Sequence, residues 1–391
     1  MNYKKGLERN LWLYALLRVF HKRTYLAVII IYVTVYAGLS VEQFGVIAAI
    51  AALASMVLEI PSGYISDKLG HKKAIIFGSF LIMIAPLGFI LYPNFYGVLF
   101  ATVVFYAGGS FHSGTMQAFL HETLIELGRD DEFGKVAARA QRWGLFGNIF
   151  LVALVPLTYS IDPRLPFVVG FILQSMGFIV SLFFTTPRKE HKKINEKIHD
   201  GFFALLKSVN HRGEILLFFF LGLVTALYNK FPEFKELYFQ DIGVPMWFFG
   251  FVYSLMGIAG IILTYHVHKL EKYEAKTFYL ADFLFVCTIS ILVGLISNVF
   301  FAVGIFILYG GYGRIRRILV HAHLLKNCPT QNLKATYLSM YSFFEAFNAI
   351  WVPLILGYAI GRFGAQQGYM FFGIGFFVLL SGLYLYIFRK K

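Results

Sequence analysis

Long apolar runs, such as residues 26–57 and 74–92, are the feature that most constrains this chain. An α-helix needs about twenty apolar residues to cross roughly 30 Å of hydrocarbon. Only 14% of the 391 residues are charged, whereas soluble domains carry about 25%. Because no soluble core can bury that much apolar surface, the sequence predicts an all-α polytopic membrane protein.

Breaks in hydropathy predict twelve transmembrane helices, at about 11–37, 42–66, 73–93, 95–126, 137–160, 165–186, 213–240, 245–267, 276–296, 298–323, 332–359 and 367–388. A polar segment separates two sets of six. We therefore predict an N-terminal six-helix half at 1–186, a cytoplasmic linker at 187–212 and a C-terminal six-helix half at 213–391. Apolar residues recur at helical spacing in the linker, which favours an amphipathic helix on the membrane surface.

The basic residues are distributed very unevenly along these spans. With the N-terminus inside, 25 of the 35 Lys and Arg residues fall on the cytoplasmic side, and only Arg164 and Arg362 fall outside. This asymmetry predicts a multi-pass protein of the cytoplasmic (inner) membrane with both termini cytoplasmic. Topology accounts for the net charge of +14, so no nucleic-acid partner is needed to explain it.

The loop between the second and third predicted spans reads GYISDKLGHKK from Gly63 onward. A glycine, an aspartate, a basic residue and a second glycine at this spacing resemble the signature loop of the major facilitator superfamily (MFS). Twelve spans in two halves fit that family along essentially the whole chain. The resemblance implies the MFS fold, in which two six-helix halves alternate access to a substrate, and it is loosely closer to the drug-efflux branch.

Through this resemblance the loop is predicted to be a conformational latch, made of Gly63, Asp67, Lys68, Gly70 and Lys72. The aspartate would hold the two halves in the outward-facing state. Gly63 would let the second and eleventh helices approach closely, and Gly70 would allow a tight reversal. The alternative is a solvated turn whose lysines only obey the positive-inside rule.

Two departures weaken an assignment to the drug–proton antiporters. The fourth predicted span has no arginine at its middle, and the fifth has only Gly144, Gly147 and a later Pro156 in place of that branch's glycine–proline pattern.

Polar stripes lie on the first helix of each three-helix unit, where an MFS fold places its substrate cavity. The predicted cavity residues are Arg18, Lys22, Tyr25, Ser113, Gln117, Asn229, Lys230, Tyr312, Arg314 and Arg316. Embedded cations, Arg23 among them, slightly outnumber embedded acids, which favours an anionic or zwitterionic substrate group. Lys22 with Arg314 or Arg316 would supply a clamp of charge-assisted contacts.

Five residues are candidates for proton coupling or for ion pairs: Glu59, His112, Glu122, Glu233 and Glu345. Glu345 lies near the middle of its span, where it would either neutralise an arginine of the tenth span or take up a proton when burial disfavours its charge. Glu59 and Glu122 face the same choice. His112 is either a packed histidine or a coupling site, and Asp282 is expected to be a structural partner.

Together these features predict a monomeric secondary active transporter, coupled to protons and without a cofactor, that exports a small amphipathic compound. Uptake of an organic anion is the alternative. A membrane-bound enzyme is a remote one, because His121-Glu122 begins an HExxH pattern that lacks its second histidine, and no nucleotide-binding or Gly-x-Ser-x-Gly motif occurs.

Overall fold

The computed structural model describes residues 3–188, 212–270, 272–326, 328 and 334–389, and within these ranges it is helical with no strand. The chain divides into two compact units. The first comprises Met1–His191 and Pro245–Ser254, and the second comprises Lys192–Val244 and Leu255–Lys391. The amphipathic helix predicted in the linker lies outside the described residues.

Nine helices precede the linker in the described part of the chain: α1 (Tyr3–Phe20), α2 (Leu26–Tyr36), α3 (Val41–Leu69), α4 (His71–Ile84), α5 (Leu87–Leu91), α6 (Phe95–His112), α7 (Thr115–Glu126), α8 (Phe133–Leu154) and α9 (Leu165–Leu182). Helix α2 begins as a 3₁₀ turn and ends as a π-helix. Short 3₁₀ turns at Asp130–Glu132 and Val155–Ser160 flank α8.

After the linker the structure describes eight further helices: α10 (Arg212–Lys230), α11 (Lys235–Asp241), α12 (Phe249–Thr264), α13 (Val267–Leu270), α14 (Ala275–Leu295), α15 (Val299–Lys326), α16 (Lys334–Phe363) and α17 (Ala365–Arg389). A 3₁₀ turn at Phe231–Phe234 joins α10 to α11, and another at Met246–Phe248 precedes α12.

Among the described residues, eleven stretches are long and apolar enough to cross a membrane, and Leu26–Tyr36 is a shorter apolar helix. The predicted span at 276–296 is observed at Ala275–Leu295. The first predicted span, 11–37, is not one helix, because α1 ends at Phe20 and α2 begins at Leu26. The all-helical, many-spanning architecture is confirmed, whereas the number of exactly twelve spans is not.

Three spans are interrupted near their middle. Residues 21–25 separate α1 from α2, and Ser113 with Gly114 separates α6 from α7. Gly114 has a φ of +68°, a conformation that favours glycine. In the seventh span, Pro232 lies in the 3₁₀ turn between α10 and α11, where its missing N–H cannot continue the helical hydrogen bonds.

Small residues let α1 pack closely in the first unit. A Cβ atom at Gly144 of α8 would lie 3.1 Å from the backbone oxygen of Arg18, and one at Gly147 would lie 2.6 Å from a methyl carbon of Val19. Such small residues are typical of close helix contacts in membranes, where backbones approach for van der Waals packing. The glycines of the fifth span, which do not match the antiporter pattern, hold α8 against α1.

In the second unit, Tyr228 of α10 stacks on Tyr309 of α15 with ring centroids 4.1 Å apart. The Tyr228 hydroxyl donates to the Tyr309 carbonyl at 2.7 Å, and the Tyr309 hydroxyl donates to the Tyr228 carbonyl at 3.1 Å. Both rings are buried, and this reciprocal pairing satisfies their polar ends. It fastens the seventh span to the tenth beside the break in α10–α11.

Candidate functional site

The broken segment of the first span concentrates positive charge. Lys22 is exposed, whereas Arg23 is partly buried, with its guanidinium carbon 4.0 Å from the ring centroid of Phe105 and 5.3 Å from that of Tyr106. Tyr25, predicted to line a cavity, is fully buried and packs against Phe167 with ring centroids 5.0 Å apart. In this structure its ring belongs to the core of the first unit.

Arg18 lies one turn before this break and points towards α8. Its Nη2 donates to Gln141 Oε1 at 2.8 Å, and its guanidinium carbon lies 5.9 Å from the centroid of the Tyr14 ring. Sequence reasoning did not identify Gln141 as its partner, although Gln141 is a polar residue inside the predicted fifth span. The side chain of Arg18 is thus held by one neutral hydrogen bond.

A predicted cavity residue, Ser113, contacts a predicted coupling or ion-pair residue, Glu59, at the break in the fourth span. The Ser113 hydroxyl donates to Glu59 Oε1 at 2.9 Å. Both side chains are exposed, and Gln117, one turn further along α7, is exposed as well. Glu59 lies two residues before Pro61, the proline inside α3. The structure therefore places this carboxylate at a kink-prone point of the second span.

His112 is a packed, hydrogen-bonded histidine. Its Nε2 lies 3.1 Å from Ser79 Oγ and 3.2 Å from the carbonyl oxygen of Ile75, and its ring meets that of His21 at a centroid distance of 5.8 Å. The residue is buried. These contacts fit the structural interpretation of His112 better than the coupling one.

The loop between the second and third spans is organised around Gly70, whose φ of +93° ends α3 and starts α4. Asp67 and Lys68 are exposed, Lys72 is partly exposed, and Asp67 makes no ion pair with any residue that the structure describes. A Cβ atom at Gly63 would meet no described atom within 4 Å. The expectation that Gly63 permits a close contact between the second and eleventh helices stays a prediction.

A buried polar chain lies beside this loop. Thr115 donates to Ser66 Oγ at 3.0 Å, and Ser66 Oγ lies 2.8 Å from His71 Nδ1. His71 Nε2 lies 3.0 Å from Glu122 Oε1. His71 stands where the signature loop more often has an arginine, and the sequence did not show that it joins α3, α4 and α7. The sequence feature that could have predicted this role is the position of His71 directly after the turn-forming Gly70, at the start of α4.

The break in the seventh span is dense in charges that pair with one another. Lys230 Nζ donates to Glu233 Oε1 at 2.8 Å, and Lys235 pairs with Glu236. Lys230, Lys235 and Glu236 are buried. Unlike the break in the first span, this one carries a carboxylate for each ammonium group.

Arg316 and Tyr312 both bind the buried carboxylate of Asp282. Arg316 Nε lies 2.8 Å from Asp282 Oδ1, and the Tyr312 hydroxyl donates to the same oxygen at 3.0 Å. Arg316 also donates through Nη1 to Thr225 Oγ1, which lies 2.8 Å from the Tyr341 hydroxyl. The predicted substrate clamp cannot use Arg316 in this conformation, because Asp282 already neutralises its charge.

Arg314 and Glu345 occupy different surroundings. The side chain of Arg314 packs against the backbone of Gly260, and Arg314 makes no ion pair within the described ranges. Glu345 Oε1 accepts from Asn229 Nδ2 at 2.9 Å and lies 3.4 Å from Arg317 Nη2. The structure thus brings together α10, α15 and α16 around one carboxylate, and the tenth-span arginine nearest to Glu345 is Arg317.

No group of three or more His, Cys, Asp or Glu side chains that could hold a metal ion occurs in the described part of the chain. The side chains gathered at the breaks are instead cations, carboxylates, hydroxyls and amides. Such groups bind a polar solute through hydrogen bonds and charge.

Comparisons with known proteins agree with this architecture. The chain is 24% identical over 349 residues to an uncharacterised MFS-type transporter, YxaM, of Bacillus subtilis (strain 168), covering 86% of this chain and 85% of that protein. Its fold is similar to the crystal structure of the nucleoside transporter NupG, with a TM-score of 0.83, 16% identity and 100% of both chains covered. It is also similar to a POT family transporter in complex with 5-aminolevulinic acid, with a TM-score of 0.73, 13% identity and coverage of 97% and 96%.

The model of the Major Facilitator Superfamily matches residues 11–353, most of the chain. The sequence resemblance in the loop from Gly63 is therefore confirmed at the level of the family. This chain belongs to the Major Facilitator Superfamily, and it is a multi-pass membrane transporter.

Proposed function

We propose that this protein is a proton-coupled secondary transporter that carries a small organic solute with an anionic group across the cytoplasmic membrane by alternating access. The observation that carries the proposal is the pair of breaks at residues 21–25 and Phe231–Phe234. They interrupt the first and the seventh predicted spans, which hold corresponding positions in the two sets of six. Interrupted spans at corresponding positions are the best structural pointer to a transporter's binding site.

The charges at the two breaks favour an anionic group on the solute. At the seventh span, Lys230 and Lys235 have Glu233 and Glu236 as partners. At the first span, Arg23 makes no ion pair with a described residue, and the groups that interact electrostatically with His21 are basic. An unpaired cation inside a membrane is costly, and an anionic solute would offset part of that cost.

Glu345 is the carboxylate that we assign to proton coupling. Its two contacts, with Asn229 and Arg317, come from two other helices. Protonation would remove the negative charge and weaken the attraction to Arg317, while a neutral carboxyl could still hydrogen-bond to Asn229. One proton would thereby change how α15 and α16 are held, which is what coupling requires.

Export of an amphipathic compound is the second candidate function. The exposed Asp67 in the signature loop favours it, because that motif resembles the drug-efflux branch. The direction of transport distinguishes export of an amphipathic compound from uptake of an organic anion. It must therefore be measured with the pH gradient imposed in both directions.

The decisive experiment is solute flux in proteoliposomes under an imposed pH gradient of either polarity, with a panel of organic anions, zwitterions and amphipathic cations. Wild type is compared with Glu345→Gln, and Glu132→Gln serves as a matched control because Glu132 is also paired with an arginine, Arg129, but in a short 3₁₀ turn. We expect the pH gradient to drive accumulation of the solute in wild type and in Glu132→Gln. In Glu345→Gln we expect no accumulation, although the variant should still exchange solute across the membrane when the pH is equal on both sides.

Gradient-driven flux that is unchanged in Glu345→Gln would remove Glu345 as the coupling residue. Flux of a substrate that ignores the pH gradient in wild type would contradict proton coupling. Accumulation of amphipathic cations, with organic anions excluded, would favour the second candidate.

A further inference from the structure

The guanidinium group of Arg23 presents one unpaired edge in the broken first span. Its Nε and Nη2 nitrogens are both buried and have no hydrogen-bond partner among the described residues. These two nitrogens form the side of the guanidinium that binds a carboxylate or phosphate with two parallel hydrogen bonds. The unpaired group is therefore a complete recognition edge rather than a single stray donor.

Aromatic rings set the plane of this group. The guanidinium carbon lies 4.0 Å from the centroid of the Phe105 ring, at a distance where a cation and a ring face attract. Stacking of this kind uses the face of the guanidinium and leaves its edge free. Phe105 and Tyr106 thus orient Arg23 without satisfying its N–H groups.

Two other arginines show what this edge does elsewhere in the chain. Arg129 donates through Nε and Nη2 to the two oxygens of Glu132, at 3.0 and 2.7 Å. Arg316 uses only half of this edge: its Nε donates to both oxygens of Asp282, at 2.8 and 2.9 Å, while its Nη2 is buried without a hydrogen-bond partner among the described residues. In Arg23 the same edge faces no carboxylate in the described part of the chain.

Neighbouring polar groups are also unsatisfied. The Tyr25 hydroxyl and Gln174 Oε1 are buried and make no hydrogen bond of standard geometry with a described residue, and both residues are at most 1% exposed. The Tyr25 hydroxyl is close enough to the side chains of Arg23 and Gln174 to interact with both, so the three side chains lie together. Gln174 Nε2 donates to the carbonyl oxygen of Lys22 at 3.4 Å, which ties α9 to the broken segment.

Basic groups also surround His21, the first residue of the broken segment. The charged and titratable groups that interact with His21 are Lys22, His112 and Arg18. Helix α2 begins at Leu26 without a side-chain cap, so the positive end of its dipole also faces the break. Basic side chains and a helix N-terminus together favour a negatively charged ligand.

We propose that Arg23 and Tyr25 form the subsite that binds the oxyanion group of the solute, a carboxylate or a phosphate, and that Gln174 positions them through its contacts with Tyr25 and the Lys22 carbonyl. This inference rests on the proposed function and assigns the anionic contact to Arg23 instead of to a clamp that includes Arg316. Arg23 supplies the two-nitrogen edge, and the Tyr25 hydroxyl supplies a further donor.

The subsite is closed in this conformation, because solvent reaches neither Arg23 Nε nor Nη2. Two buried donors without acceptors cost free energy, and an oxyanion would recover part of it. Residues 21–25 lie outside regular helix, so few backbone hydrogen bonds oppose their movement. Binding therefore requires the segment to open, next to the exposed Lys22.

The test is ligand-dependent thermal unfolding of the purified full-length protein in detergent, at constant ionic strength. The probes are sodium acetate, succinate and inorganic phosphate, with sodium chloride as reference. We expect at least one probe to stabilise wild type, with the apparent Kd raised tenfold or more in Arg23→Gln. The matched control is Arg139→Gln, because Arg139 also sits over an aromatic ring, Trp12 at 5.5 Å, and makes no ion pair with a described residue.

Arg23→Lys keeps the charge but loses the two-nitrogen edge, and we expect it to bind more weakly than wild type. Tyr25→Phe keeps the ring packing and removes only the hydroxyl, so it tests the subsite even if Arg23→Gln fails to fold, and we expect its Kd to rise several-fold. No stabilisation of wild type by any probe, or equal Kd values in wild type and the folded Arg23 and Tyr25 variants, would overturn the proposal.

Flux measurements separate this inference from the proposed function. Gradient-driven transport that is identical in wild type and Arg23→Gln would reject the subsite and leave proton-coupled transport standing. Arg23-dependent anion binding, with transport that ignores the pH gradient, would support the subsite and reject the coupling.

Discussion

His71 Nε2 lies 3.0 Å from Glu122 Oε1, and this contact joins the start of α4 to α7. The other ring nitrogen, Nδ1, lies 2.8 Å from Ser66 Oγ of α3. One imidazole therefore binds three helices at the loop that carries Asp67. Glu122, predicted to be a coupling or ion-pair residue, has a partner that was identified only from the fold.

We predict that His71→Ala lowers the free energy of unfolding by about 1–3 kcal/mol, because it removes the contacts of the imidazole with the buried Ser66 and the partly buried Glu122. Thermal unfolding in detergent measures the effect. His266→Ala is the control, since His266 is exposed and its side chain makes no hydrogen bond within the described ranges. Equal destabilisation by both substitutions would show that the His71 contacts contribute nothing specific.

Asp67→Asn is expected to slow the transport cycle while sparing substrate binding, as the family resemblance implies for a latch. A latch that contributes about 1.4 kcal/mol to one conformation would change the rate by about tenfold. Initial-rate kinetics in proteoliposomes separate the maximal rate from the half-saturating concentration. Asp131→Asn, an exposed carboxylate near another loop, is the control. Weaker binding with an unchanged maximal rate would contradict the latch.

Gly70→Ala and Gly63→Ala are predicted to have opposite effects on stability. At Gly70, φ is +93° and ψ is 141°, a conformation that costs other residues about 1–3 kcal/mol. At Gly63, in a helix with open space around the Cα, alanine should be neutral or stabilise by up to about 1 kcal/mol. Thermal unfolding tests both. A stable Gly63→Ala protein that no longer transports would show that Gly63 is needed in another conformation.

Asp282→Asn is predicted to destabilise the second unit by about 3–5 kcal/mol, because it leaves the buried Arg316 charge uncompensated. The double variant Asp282→Leu with Arg316→Met should recover much of that loss. Both are measured by thermal unfolding. If the double variant is stable and still transports, Arg316 has a structural role; if Asp282→Asn alone is as stable as wild type, the ion pair is unimportant.

The proposed orientation, with both termini cytoplasmic, predicts which loops a membrane-impermeant thiol reagent can label in intact cells. In a chain with serine at positions 287 and 328, Asp162→Cys should be labelled and Asp131→Cys should be protected until the cells are opened. Both residues are exposed, so burial does not explain a difference. Labelling of Asp131→Cys in intact cells would reverse the orientation.

Hydropathy located the membrane spans well because a membrane of fixed thickness imposes a fixed length of apolar helix. The predicted span at 298–323 corresponds to Val299–Lys326. The family was also recognisable from the sequence, because the residues of the signature loop that begins at Gly63 lie within a dozen consecutive positions. These features depend on local composition and spacing.

The breaks were harder to predict. Lys22 and Arg23 are acceptable in an isolated helix, so their charge marked a functional candidate without indicating where α1 ends. Helix α1 ends at Phe20, and the residues that follow it make tertiary contacts instead of helical ones. Among these are the packing of Tyr25 against Phe167 and the hydrogen bond from Gln174 to the Lys22 carbonyl. Pro232 and Gly114 mark the breaks in the seventh and fourth spans that have a local cause in the sequence.

The sequence alone determined that this is an MFS membrane protein and where most of its apolar spans lie. Only the tertiary structure decided which of the charged residues are neutralised. Asp282 and Arg316 are 34 positions apart, and nothing local distinguishes Arg316 from Arg23. One arginine meets a buried carboxylate and the other does not, because the helices that fold around each of them bring different side chains within reach.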